Sequence, residues 1–308
     1  MKHNLTLEAK YGSIAKLTPD KPKVRISKVI KTIVVVILCT LLAVIFFFPV
    51  LWMVSNSFKD HDTVYAQMTS IRTFFPPSLN IGEWFVSYIK LFQGFENFGQ
   101  SVLNSLIYAS VTIVAVLVIN SIAGYALARF HFPGNKALTT IILLLMIIPI
   151  ETSVVPTYLI LYYLGLLKEP FNVIGYLIPG FASLFYTYMF RQYFLGMPRE
   201  IEEAARIDGC SRIGVFFRMI VPLAKPIFAT VAIFTFMGSW NEYIFAQLMF
   251  PNPAQQPLQV FLQLVNNRNP QDIGMVMASL TLSTIPIALV YIFAQRYIVE
   301  GVAFTGLK

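Results

Sequence analysis

The chain has 308 residues, of which 56% are hydrophobic and 12% charged, with a formal net charge of +8. A soluble domain carries about twice that charged fraction, so a water-soluble globular protein is excluded and a polytopic membrane protein is indicated. Cys39 and Cys210 sit in different surroundings and make no disulfide framework, and His3, His61 and His131 are too scattered for a metal centre.

The apolar runs are continuous rather than alternating, which favours spanning helices over a barrel. The expected fold is all-α, with six transmembrane helices near residues 31–54, 103–126, 137–158, 171–192, 222–246 and 274–296. Each is close to the roughly 20 residues a bilayer needs. Residues 1–30 form a basic N-terminal segment, residues 31–296 a membrane domain and residues 297–308 a tail. The first run is too long for the apolar part of a signal peptide and reads as an uncleaved span. Trp84, Phe85, Tyr88 and Phe92 suggest a short interfacial helix within segment 59–101. Pro149, Pro156 and Pro179 interrupt the third and fourth spans. Segment 247–273 is turn-rich where it reads Pro251-Asn252-Pro253 and Gln255-Gln256-Pro257.

Lys and Arg set the orientation. Only Lys59, Arg72, Lys90, Lys168 and Arg268 fall in alternate loops; the other eighteen of the 23 basic residues cluster on the opposite side. Both termini are therefore expected in the cytoplasm. The positive charge follows topology and gives no reason to expect nucleic acid as a partner.

Residues 197–221 are a polar island between two apolar runs. Pro198 suits a first helical position, and Glu200, Glu202 and Glu203 crowd a first turn, where the helix dipole favours negative charge. Gly209 can take the left-handed conformation that stops a helix, and Ser211 can cap a second one. Ile213, Phe216, Phe217 and Ile220 then follow at the spacing of a single apolar face. An acidic first helix with alanine on its apolar side suits docking on protein better than burial in lipid.

Glu203-Ala204-Ala205, Asp208-Gly209 and Ile220-x-Pro222 resemble the EAA loop of ABC-importer permeases. Asn104-Ser105-Leu106, Tyr125-Ala-Leu-Ala-Arg129, Met146-x-x-Pro149, Trp240-Asn241-Glu242-Tyr243 and Gln295-Arg296-Tyr297 extend the likeness to the carbohydrate-uptake subfamily, on the side of the maltose-type six-span subunit. The resemblance implies a permease half in a bacterial or archaeal cytoplasmic membrane. It implies a second, related permease subunit, two ATPase subunits carrying ATP and Mg, and an extracytoplasmic solute-binding protein that delivers a sugar or oligosaccharide. Cys210, where alanine is commoner, and the Gly301-Val-Ala-Phe-Thr-Gly-Leu-Lys tail depart from the pattern. The second departure bears on the tail's usual contact with the ATPases.

The resemblance assigns Glu203, Ala204, Ala205, Asp208 and Gly209 to the coupling contact. No G-x-x-x-x-G-K-[ST] loop occurs, so this chain is expected to bind no nucleotide and to catalyse no bond chemistry itself. Trp240, Asn241, Glu242 and Tyr243 fit two readings, a sugar path or an aromatic interface belt. Glu151, Asn120, Ser121, Tyr186 and Tyr188 fit a path or simple helix joining. Pro251, Asn252 and Gln255 lie in a loop that either meets the binding protein or stands idle. An importer of a non-sugar solute such as a glycerophosphodiester, an ion-coupled secondary transporter and a membrane scaffold remain as alternatives. Few ionisable residues at mid-membrane speak for the secondary transporter.

Overall fold

The computed structural model describes residues 26–78 and 80–305, with side chains described for 30–78 and 80–295. The expected basic segment before residue 26, and the side chains of the tail, lie outside the described residues. Apolar sequence gives helix throughout: α1 (Ile26–Ser57), α2 (His61–Gln67), α3 (Val86–Gly94), α4 (Phe98–Arg129), α5 (Asn135–Leu145), α6 (Val154–Tyr163) and α7 (Asn172–Leu177). They continue as α8 (Leu184–Leu195), α9 (Glu200–Ile207), α10 (Arg212–Val215), α11 (Lys225–Asn241), α12 (Ile244–Met249), α13 (Leu258–Asn266) and α14 (Ile273–Thr305). There is no strand among the described residues. The chain divides into two compact units, one ending at Trp52 and one beginning at Met53. The helical part of the first is Ile26–Trp52 of α1, with Pro49 inside the helix. The second holds the remaining elements.

Four segments are long and apolar enough to cross a membrane: Ile30–Ser57, Phe98–Arg129, Asn172–Leu195 and Ile273–Gln295. Two more qualify only as bent pairs, Asn135–Leu145 with Ile150–Tyr163 at 96° and Arg212–Leu223 with Lys225–Asn241 at 78°. Proline explains both bends, because it lacks an N–H and disfavours helix in the residue before it. Pro149 stands at the first break, and Pro222 and Pro226 flank Ala224 at the second.

In the second unit α4 packs along α8 and α11. Near its Arg129 end, Val116, Tyr125 and Ala128 join Phe190, Phe194, Ile220 and Val231 in one buried cluster. Near its start, Phe98 and Ala109 join Leu91, Phe236, Trp240 and Phe261 in another. Tyr108 stacks on Phe250, with ring centroids 5.4 Å apart.

The seam between α4 and α8 rests on two residues. Asn120 is fully buried. Its amide nitrogen donates to the carbonyls of Val116 (2.8 Å) and Phe181 (2.9 Å). Its amide oxygen accepts from the Ser183 N–H (2.8 Å) and the Thr187 hydroxyl (2.9 Å). That network ties the start of α8 to the middle of α4. Gly124, one turn further along, lets the two backbones touch. A Cβ there would lie 2.6 Å from the Cβ of Phe190 and 2.8 Å from the carbonyl of Thr187.

Beyond α1 a buried lysine organises a small polar lobe. Lys59 is wholly enclosed. Its ammonium donates to the Gln67 side chain (2.9 Å) and to the carbonyls of Arg72 (3.0 Å) and Thr73 (2.8 Å). All three acceptors are neutral, and burial pushes its pKa below the ordinary 10.5.

Two outcomes follow from this packing. Gly124→Ala should destabilise the folded chain by about 1–3 kcal/mol through overpacking. Gly99→Ala, a position with nothing within 4 Å, should be neutral or slightly stabilising. Thermal unfolding of both variants in detergent checks the pair, and equal melting temperatures would contradict the seam. For Lys59 the unfolded state holds the proton more tightly than the folded state. Stability should therefore rise with pH between the depressed folded pKa and 10.5, by at most about 1.4 kcal/mol per pH unit. Melting measured across an alkaline series should show that rise in the wild type and lose it in Lys59→Met.

Candidate functional site

The polar island folds as an elbow. Helix α9 ends in a paired cap, the Gly209 N–H donating to the Arg206 carbonyl (3.1 Å) and the Cys210 N–H to the Ala205 carbonyl (3.0 Å). This cap requires left-handed backbone at its central residue, and Gly209 has φ +84°. The Ser211 hydroxyl then accepts from the Gly214 N–H (3.1 Å) and opens α10. Helix α10 runs for four residues before the backbone widens into a π turn, Phe216–Ile220.

That turn corrects one expectation. The sequence places Ile213, Phe216, Phe217 and Ile220 on a single apolar face, but the structure splits them. Phe216 and Ile220 are buried, together with Val215, whereas Ile213 is 73% and Phe217 54% exposed. The i→i+5 bonding of a π turn breaks the 3.6-residue period on which a single face depends.

A buried ion pair holds the elbow to α4. Arg129 Nε lies 2.7 Å from Glu202 Oε1, and the two side chains are only 5% and 15% exposed. The Tyr125 hydroxyl donates to Glu202 Oε2 (2.9 Å), and Arg129 Nη2 donates to the Met197 carbonyl (2.8 Å). The Tyr125 ring packs 4.9 Å from that of Phe216. Glu202 is therefore the acid with partners inside the chain, while Glu203 is exposed. Tyr125 and Arg129 stand four apart and share one face of α4, a spacing that the sequence displays. Nothing in the sequence says which glutamate they meet.

The expected coupling residues do not share one environment. Glu203, Ala204, Asp208 and Gly209 are exposed, whereas Ala205 turns inward against Tyr125, Ala128 and Val215. The outward side adds Ile207, 86% exposed. Ile213 and Phe217 line a concavity of about 660 Å³ with Asp208 and Gly209. An apolar tip thus projects from a braced support.

At the far end of α11 the expected path residues separate. Trp240 is fully buried, stacked on Phe236 at 5.4 Å. Asn241 is exposed and its amide oxygen accepts from Gln259 (3.3 Å). The helix breaks there, and the Glu242 carboxylate accepts from the Phe245 N–H (2.9 Å) to start α12. Tyr243 packs against the cluster of Tyr108, Leu161 and Tyr176. Glu151 is exposed in the turn between α5 and α6. Asn120 is consumed by the α4–α8 clamp, with Ser121 buried beside it, and half-buried Tyr186 and Tyr188 lie on α8.

The loop at residues 250–258 is pinned rather than loose. Asn104 donates to the Ala254 carbonyl (2.9 Å) and Tyr108 to the Gln255 carbonyl (3.0 Å). Asn172 bonds the Gln255 side chain. Asn252 donates to Glu169 (2.9 Å), and Pro251 is exposed at the tip.

Comparisons with known proteins agree with this architecture. The family described as binding-protein-dependent transport system inner membrane component matches residues 120–303. The chain is 32% identical to the probable ABC transporter permease protein YurM of Bacillus subtilis, covering 85% of this chain and 83% of that one. It is 29% identical to the arabinooligosaccharides transport system permease protein AraQ of the same organism, covering 73% and 79%. A solved bacterial ABC transporter involved in the import of the acidic polysaccharide alginate superposes with a TM-score of 0.76 at 25% identity, covering 88% of this chain and 97% of that one.

The brace generates a direct test. Glu202→Gln leaves the Arg129 charge buried without its counter-charge, which should cost about 3–5 kcal/mol. Glu203→Gln, on the exposed side, should change stability by less than about 0.5 kcal/mol. Thermal unfolding in detergent checks both, and the reverse order would overturn the assignment.

Proposed function

This chain belongs to the binding-protein-dependent family of inner-membrane transport components, and on that footing we propose that it forms half of the translocation path of a sugar or oligosaccharide importer. A related permease subunit forms the other half. Two cytoplasmic ATPase subunits, carrying ATP and Mg, drive it, and an extracytoplasmic binding protein delivers the solute. The relatives named for sugar transport, and the likeness to the alginate importer, support that substrate class.

The observation that carries the coupling role is the apolar tip on its buried brace. Ile207, Ile213 and Phe217 are exposed large side chains on a segment fixed to α4 by the Glu202–Arg129 pair. Exposed apolar surface of this kind marks an interaction site. Closure of the ATPases then moves α9 as a rigid piece, and the brace passes the motion to α4. Glu203 and Asp208 add polar contacts at the rim, Ala204 permits close approach and Gly209 sets the turn.

Membrane placement follows from the same reading. The four long helices and the two bent pairs make six spans, with both termini and the elbow in the cytoplasm, as the distribution of Lys and Arg supports. Helix breaks inside a membrane leave backbone groups to be satisfied, and they are tolerated where they line a cavity. The breaks at Asn241–Tyr243 and at Met146–Ser153 are accordingly where the path runs. Asn241, Glu242 and Glu151 offer hydrogen-bonding groups for sugar hydroxyls, while Trp240 and Asn120 shape the wall from behind. Pro251 and its pinned loop face the binding protein.

ATP-dependent sugar uptake in cells should be lost in a variant combining Glu203→Lys with Gly209→Pro, while the chain still inserts in the membrane. Proline cannot adopt the positive φ of Gly209. Normal uptake by that variant would remove the elbow from the mechanism. Independently, Ile207→Asp with Ile213→Asp should abolish co-purification of the ATPase subunits from native membranes, and undiminished co-purification would contradict the tip as their docking surface.

A further inference from the structure

A second concavity lies on a different face of the elbow from the tip. In α9, Glu203 and Ile207 stand four apart and share the tip side. Glu202 and Arg206, also four apart, share the side toward α4. Between that side and the end of α4 is a cleft of about 370 Å³, lined by Arg129, His131, Arg206, Arg212 and Glu202, with Phe130 at its edge. At ~30 Å³ per water it holds about a dozen waters, enough room for a hydrated phosphate ester.

Its charge is unbalanced. Three guanidinium groups face one carboxylate, and that carboxylate is taken by Arg129. Arg206 and Arg212 have no ion-pair partner among the described residues. Arg212 is held in place, its guanidinium carbon 5.5 Å from the centroid of the Phe130 ring. Arginines fixed in this way match the oxygens of a phosphate.

The surroundings favour a membrane lipid as the source. The cleft sits at the end of a candidate span, Phe98–Arg129. The chain leaves it through Phe130 and Phe132, 38% and 41% exposed, toward exposed Lys136. Aromatic and basic residues together at a span's end belong to the headgroup level of a bilayer, and basic pockets on the cytoplasmic side bind anionic headgroups.

We propose that this cleft binds the phosphate headgroup of an anionic phospholipid of the cytoplasmic leaflet. The orientation rests on the topology given under Proposed function; the site itself does not depend on the transported solute. The lipid completes the charge balance beside the brace and ties the elbow's root to the membrane surface, leaving the tip free for protein.

Native mass spectrometry of the purified transporter complex, titrated with phosphatidylglycerol or phosphatidylcholine, tests it. Wild-type complex should retain phosphatidylglycerol in preference to phosphatidylcholine. Arg206→Gln with Arg212→Gln should weaken phosphatidylglycerol about thirtyfold, each lost cation contributing about fivefold, and Arg206→Lys with Arg212→Lys should restore most of it. Equal retention of the two lipids by the wild type, which needs no variant to fold, would overturn the proposal. So would unchanged binding in the glutamine variant. Displacement of the lipid by equimolar inorganic phosphate would reassign the cleft to a soluble phosphate ligand and overturn the lipid. Loss of the ATPase subunits from the glutamine variant with phosphatidylglycerol retained would assign the arginines to a protein contact. Loss of lipid with the ATPases still bound upholds the site and leaves the transport reading untouched.

Discussion

An eight-residue helix is too short to be stable alone, so the elbow exists because something outside it fixes its geometry. That something is the buried contact among Glu202, Arg129 and Tyr125. The Glu202 carboxylate, 2.7 Å from Arg129 and hydrogen-bonded by Tyr125, sits where both partners are nearly sealed from water. A buried pair adds little net stability over apolar packing, but it is expensive to break. That asymmetry suits a joint that must keep one arrangement under force. Ala205 and Phe216 pack around the same point, so the joint is held by charge and by shape.

From this joint α4 extends for 32 residues, about 48 Å at 1.5 Å per residue. Its middle is locked to α8 by the Asn120 network and the close approach at Gly124. Toward its start, Asn104, Ser105 and Tyr108 hold the loop that ends with Leu258. One helix therefore touches the elbow near one end and the pinned loop near the other. On the proposed function, a displacement entering at the cytoplasmic side meets a continuous rod, not a chain of loose segments.

Much of this was legible in the sequence. Apolar runs located the spanning segments, because burial in lipid needs length more than detail. Gly209 and Ser211 announced the elbow, because each position demands a residue type for backbone reasons. Pro149 and Pro222 marked breaks on the same grounds. What could not be read was which side chains of an element face inward. Glu202 and Glu203 are chemically identical and adjacent; only the placement of Tyr125 and Arg129 distinguishes them. Trp240 looks like a sugar platform by type, yet it closes a core cluster. The π turn exposes Ile213 and Phe217, since a local backbone irregularity resets every angular position after it. Asn120 is polar in an apolar run, which signals hydrogen bonding but not whether the partner is solute or protein.

The central claim is that the elbow's tip is a protein-docking surface carried on an internal brace. The most direct measurement replaces Ile207 with a photo-crosslinking amino acid and irradiates native membranes. The account predicts a covalent adduct between this chain and an ATP-hydrolysing subunit, identifiable by mass. Adducts to lipid alone would contradict it, since they would place the tip in the bilayer and leave the brace without a partner to serve.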